Sequence, residues 1–221
     1  MKILNAILLT LAWMLFIELI NAWTLLIPAD WVFSESIIKV SHLISYLVVL
    51  FAMILLFKIF KQPEALTVSK AKPTFYVIGI MSGIAFVFLQ SILLTFYFQE
   101  ISSEFFRWDF SLELLTTLPF FIIGSVLIVP ITEELFFRNF ILRGLLKNND
   151  TISAILISSL LFSFVHIPFI NFLYDSVDFS LRQAYITIFG GVIAGSLYCK
   201  SKSIIPPILF HMFWNLSAAV F

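Results

Sequence analysis

Residues 112–146 read LELLTTLPFFIIGSVLIVPITEELFFRNFILRGLL, an apolar run with Glu133, Glu134 and Arg138 set inside it. Ionisable side chains in hydrocarbon are expensive, so one placed within an apolar segment marks a functional site by default. Two later clusters repeat the pattern: Phe162-Ser163-Phe164-Val165-His166 and His211-Met212-Phe213-Trp214-Asn215. Two carboxylates, a guanidinium, two imidazoles and an amide, carried on hydrophobic stretches, are the side chains of a buried hydrolytic site.

Composition puts those stretches in a bilayer. The 221 residues are 61% hydrophobic and 12% charged, with mean hydropathy +1.07. A soluble domain averages about 45–50% apolar and about 25% charged. The expectation is an all-α, polytopic transmembrane bundle forming a single membrane domain over 1–221. Zero net charge argues against a nucleic-acid partner. The lone Cys199 excludes an intramolecular disulfide or a Cys-based metal cluster and reads as a small apolar filler. Lys2 is the only basic residue ahead of an apolar run that continues to Pro28. That run exceeds the ~7–15 residues of a signal-peptide core and lacks a small-x-small cleavage site, so it is expected to be a retained first span.

A spanning helix needs ~20 mostly apolar residues. Seven candidates follow, at 3–26, 37–60, 75–98, 112–146, 152–168, 184–198 and 204–221. Basic and acidic connections alternate between them. Lys2, then Lys58, Lys61, Lys70 and Lys72, then Arg138, Arg143 and Lys147, then Lys200 and Lys202 mark one side. Asp30 and Glu35, then Glu100, Glu104, Asp109 and Glu113 with Arg107, then Asp175 and Asp178 with Arg182 mark the other. The positive-inside rule then places the amino terminus in the cytoplasm. Residues 99–113, with Ile101, Phe105, Phe106, Trp108 and Phe110 among charges, read as an amphipathic interfacial stretch.

The fourth and fifth helices should form a hairpin turning at Lys147-Asn148-Asn149-Asp150. Glu133 stands 16 residues before Asn149 and His166 stands 17 after it. At ~1.5 Å per residue the two reach the same depth, ~24 Å of helix from the turn. Glu134 and Arg138 share a face, four apart, and are expected to pair as a structural support. Glu133, rotated by about 100°, is free to face His166 and act as general base. The competing reading is one neutral structural cluster of all three charges. His211 and Asn215 are also four apart. They suit an oxyanion, a metal (His211) or an interhelical hydrogen bond (Asn215). Gly191-x3-Gly195 should let its helix approach closely, with the seventh helix as expected partner. Pro130 removes a backbone hydrogen bond and exposes a carbonyl near the glutamates. Glu18 and Asn21 near the outer end of the first span, His42 near that of the second, and Gln90 deep in the third are discounted as site residues.

Glu-Glu-x3-Arg, Phe-x3-His and His-x3-Asn, in that order on apolar helices, resemble the CPBP family of CAAX-processing endopeptidases and bacteriocin-processing or immunity (Abi) membrane proteins. The likeness runs from about Leu115 to Ala219; 1–110 would be amino-terminal spans without family motifs and 111–221 the protease core. It implies an intramembrane endopeptidase. Glu133 and His166 would activate the water, His211 and Asn215 would bind the oxyanion, and Glu134 and Arg138 would support the site. The implied substrate is a membrane-associated peptide or lipidated protein tail, prenylated in the CAAX case. The cofactor expectation is none or zinc: Glu133, His166 and His211 could hold zinc with an open position, although no His-Glu-x2-His motif is present. The rival is a non-catalytic membrane immunity protein that binds a bacteriocin. A transporter would favour inverted repeats, and none is visible.

Overall fold

The computed structural model describes residues 1–26, 35–98, 120, 122–168 and 180–220. The acidic loop residues Asp30, Asp175 and Asp178 and the interfacial stretch 99–113 lie outside them. The described residues are helical, with short connections. Helix α1 is Ile3–Asn21, α2 Glu35–Ile59 and α3 Pro73–Phe98. Helix α4 covers 122–145, α5 is Thr151–Phe164, α6 Arg182–Ser201 and α7 Ile205–Val220.

Three of these helices are long and apolar enough to cross a membrane, with spans at Ile3–Asn21, Val40–Ile59 and Pro73–Tyr97. The chain is an integral, multi-pass membrane protein. The seven spans read from the sequence are a miscount, because hydropathy scores a buried core helix much as it scores a lipid-facing one. Helix α5 has 14 residues, ~21 Å of rise against a hydrocarbon core of about 30 Å, and α7 has 16. Helix α6 is diluted by glycine, serine, threonine and glutamine. The cytoplasmic amino terminus was drawn from loop-by-loop alternation through seven spans, and it goes with that count.

The two classes of helix divide the work. Helices α1, α2 and α3 turn large apolar side chains outward, among them Leu15, Leu19, Phe51, Ile92 and Phe96, as a lipid-facing surface does. Helix α4 is nearly all interior: Phe137, Ile141, Leu142 and Leu145 are fully enclosed. Its winding is irregular, π over Ile122–Ile128, α over Val129–Glu134 and π again over Leu135–Leu142. Such π insertions recur at functional sites, and here they bracket the glutamate pair.

Close packing sets the register of the remaining helices. Gly79 and Gly83 let α3 lie against the backbone of α7. A Cβ at Gly79 would stand 2.6 Å from the Pro206 carbonyl oxygen, and one at Gly83 would collide with that of Phe210. Gly191 and Gly195 do not face α7 as expected. They press α6 onto α5, at Ser159 and Ile155, and it is Gly190 that makes room for Trp214 of α7. Hydroxyls stitch the layers: Ser158 donates to the Phe137 carbonyl at 3.0 Å and Ser163 to that of Ala184 at 2.6 Å. Asp150 caps α5 by accepting from the Ser153 N–H at 3.0 Å, and its hydrogen bonds with Ser153 hold its carboxyl below the usual carboxylate range.

The connection between α2 and α3 is tied down from α4. Asn139 donates to the carbonyls of Ala65 (3.1 Å) and Thr67 (2.9 Å), while Arg143 donates to that of Glu64 (2.7 Å). Asn139→Leu strips two acceptors of their donor and should lower stability by about 1–3 kcal/mol. Thermal unfolding in detergent reads the loss, and faster proteolysis between 60 and 72 locates it. An unchanged melting temperature would show that water replaces the amide without penalty.

Candidate active site

Three helices, α4, α5 and α7, carry the six polar residues. Glu133 and Glu134 close the α segment of α4, and Arg138 follows within its second π segment. His166 lies just past the end of α5. There its Nδ1 bonds the Phe162 carbonyl at 2.7 Å, satisfying an acceptor that the end of a helix otherwise leaves open. A carbonyl only accepts, so a hydrogen is on Nδ1, and in the neutral imidazole Nε2 then keeps its lone pair. His211 and Asn215 sit one turn apart on α7.

The convergence is tight. Glu133 Oε1 is 4.0 Å from His166 Nε2, and Glu133 Oε2 is 3.8 Å from His211 Nε2. Glu134 faces the other way: Oε1 meets His211 Nδ1 at 3.1 Å and Oε2 meets Arg138 Nε at 3.0 Å. His211 is therefore held between the two glutamates, a relation that spacing along the chain does not reveal. Arg138 also lies over the Phe162 ring, 4.6 Å from its centroid, and a guanidinium in that position gains cation–π attraction.

Exposure separates two roles. Glu134 and Arg138 are sealed at 1% each, whereas Glu133 and His166 keep 19% and 17%. The sealed pair can orient His211 but cannot meet a substrate. Glu133 can, because it keeps that exposure and lines a cavity of about 200 Å³ with Trp13, Tyr46 and Thr132; its Oε2 is buried and makes no hydrogen bond among the described residues.

Asn215 is not aimed at Glu133. Its Nδ2 donates to the Ser125 carbonyl at 2.8 Å. Ser125 lies in the first π segment, where each carbonyl pairs five residues onward; five onward is Pro130, which has no N–H. The amide of α7 thus fills the vacancy that the proline creates, and one of its two hydrogens remains for another acceptor. The deep Gln90 proves to be structural: it accepts from Trp214 Nε1 at 2.9 Å, and Trp214 packs against His211 with ring centroids 5.5 Å apart. Glu18 and His42 are exposed.

Glu133, His166 and His211 were also candidates for a zinc site. Among the described residues no group of three or more His, Cys, Asp or Glu side chains is arranged to hold a metal ion. The donor set does not fit, and no step is routed through a metal.

Three comparisons with known proteins bear on this site. Residues 115–217 match the family model described as Type II CAAX prenyl endopeptidase Rce1-like. Over 104 residues, 47% of the chain, the sequence is 30% identical to a protein of Bacillus subtilis (strain 168) named "Putative membrane peptidase YdiL". That alignment spans 38% of the relative's length. No solved structure matches the chain. A CAAX-protease-like domain is thus detected over the carboxy-terminal part. It contains all six site residues and leaves out α1, α2 and α3.

Proposed function

We propose that this protein is an intramembrane endopeptidase of the CAAX-protease type. It hydrolyses a peptide bond of a membrane-associated peptide, prenylated or not, with a water activated by Glu133. The observation that carries the reading is the pair of imidazole Nε2 atoms facing the two oxygens of Glu133 at 4.0 and 3.8 Å. A water about 2.8 Å from two acceptors so spaced subtends an angle of about 90°, near its own H–O–H angle. The gap fits a water that donates to Glu133 and to an imidazole, with its lone pairs turned to a carbonyl carbon.

Glu133 accepts one proton as the water oxygen attacks. The carbonyl oxygen becomes an oxyanion, toward which the unused amide hydrogen of Asn215 and a protonated Nε2 of His211 can donate. Glu134 keeps the His211 ring oriented through Nδ1, as a carboxylate orients the histidine of a hydrolase triad. Collapse of the intermediate breaks the C–N bond. The proton held by Glu133 passes to the leaving amine, the new carboxylic acid gives up its own proton to it in turn, and the products are a carboxylate and an ammonium.

The test is incubation of the purified protein, in micelles and in vesicles, with prenylated CAAX-type peptides and non-prenylated membrane peptides, followed by mass spectrometry. Cleavage at one bond, unaffected by a zinc chelator, is the expected result. An intact panel from folded protein would remove the protease reading. Loss of cleavage on chelation would overturn the metal-free mechanism.

A further inference from the structure

Trp13 of α1 is 5% exposed, and its indole Nε1–H is buried with no hydrogen-bond partner among the described residues. A buried tryptophan normally pairs that group, and leaving it unpaired is costly. Neighbouring rings do not rescue it. Trp13 is stacked on Phe136, with centroids 4.5 Å apart and planes 14° apart, and on Phe16 at 27°. An indole N–H lies in the plane of its own ring, so stacked neighbours turn their faces away from it. The other tryptophans with described side chains are satisfied: Trp23 donates to Ser45 and Trp214 to Gln90, both at 2.9 Å.

Trp13 also lines the same cavity of about 200 Å³ as Glu133. Two residues that line this space therefore each carry an unused, buried polar atom: Trp13 the donor Nε1 and Glu133 the acceptor Oε2. A peptide group undergoing hydrolysis presents a carbonyl to accept from a donor, beside the water that Glu133 deprotonates. The six site residues come from the stretch 115–217, whereas α1 and α2 add walls to the cavity, among them Trp13, Asn21 and Tyr46.

We propose that the Trp13 indole N–H is a substrate-positioning donor, which hydrogen-bonds a backbone carbonyl of the peptide and fixes it in the Glu133 cavity. The proposal deepens the protease reading and rests on it for the identity of the ligand. The bond forms on binding and persists in the transition state, so its loss raises KM and leaves kcat unchanged.

Trp13→Phe removes the N–H and keeps a ring stacked on Phe136. The expected result is a KM about tenfold higher, the effect of one lost buried hydrogen bond, with kcat unchanged. The melting temperature should hold or rise, because an unsatisfied donor has left the interior. A tryptophan that matters only for packing would instead lower the melting temperature and leave KM alone. The second measurement does not depend on turnover. Indole-¹⁵N-labelled Glu133→Gln protein is titrated with a prenylated CAAX-type peptide, and the Trp13 signal is assigned by its absence in the Trp13→Phe variant. It should move downfield and saturate while the Trp23 and Trp214 signals stay. If the wild type cleaves peptides and Trp13→Phe matches it in KM, the proposal is overturned and the protease reading stands. If the wild type cleaves none, the protease reading fails and the titration decides alone: a saturating shift supports peptide binding by Trp13, and a static signal overturns it.

Discussion

Glu133→Gln should reduce turnover by about 10²–10⁴-fold, the usual contribution of a positioned general base, while leaving the fold intact. The substitution keeps the side chain's shape and removes its ability to take a proton. Little in the structure depends on the charge. Glu133 Oε2 makes no hydrogen bond among the described residues, and both imidazole contacts, at 3.8 and 4.0 Å, are longer than hydrogen bonds. Melting temperature and detergent elution profile should therefore match wild type. The informative comparison is Glu134→Gln. Glu134 is sealed from any substrate and holds Arg138 at 3.0 Å and His211 at 3.1 Å. Its neutralisation leaves a buried guanidinium without its counter-ion and should lower stability first, with activity falling because His211 loses its orientation. Adjacent residues, given the same chemical change, should thus fail in different ways. Glu133→Gln with more than a tenth of wild-type kcat would sink the general-base assignment. A Glu133→Gln variant that also kept its cellular role would favour a binding protein over an enzyme.

The sequence made the local relations of the site legible and hid those between distant segments. A hairpin turning near Asn149 puts Glu133 and His166 level by counting alone, and they stand 4.0 Å apart. Glu134 and Arg138 are one helical turn apart and pair at 3.0 Å. The grip of Glu134 on His211 depends on how α7 is rotated against α4, which no spacing encodes. The span count failed for a related reason. Arg138 was counted as a loop charge that marks a membrane side, yet it is buried against Glu134 and Phe162. Arg143 was counted the same way, and it anchors the Glu64 carbonyl. A charge sealed inside the protein, as Arg138 is, carries no topological information, whereas Arg143 keeps 36% of its side chain exposed. The glycines show the same limit. Their spacing announced a close helix contact but not its partner, since Gly190 faces Trp214 while Gly191 and Gly195 face α5. Pro130 was more informative. Its missing N–H announced a freed carbonyl, and the structure supplies the taker, Asn215 on the Ser125 oxygen.

Arg138→Met should destabilise the protein by about 3–5 kcal/mol, the range for removing one partner of a buried ion pair, and that is a large share of the ~5–15 kcal/mol by which a domain is stable. The penalty is mostly the charge left behind. Glu134 is enclosed and, among the described residues, would retain only His211 as a cationic or hydrogen-bonding neighbour. Arg138→Lys should recover only part of the loss. An ammonium is a compact, strongly hydrated charge, whereas the planar guanidinium can pair with Glu134 and lie over the Phe162 ring at once. The double variant Arg138→Met/Glu134→Leu separates charge from packing. It leaves no buried charge uncompensated, so its loss should be smaller than the sum of the two single losses, with a coupling of about 1–3 kcal/mol in mixed-micelle denaturation. Stability restored in this way should not restore turnover, because His211 Nδ1 would have no carboxylate to hold the ring toward Glu133. A folded, inactive double variant is the expected outcome. Additive stability losses would show that Glu134 and Arg138 act independently, and an active double variant would show that His211 is oriented by Trp214 and Phe162 packing alone.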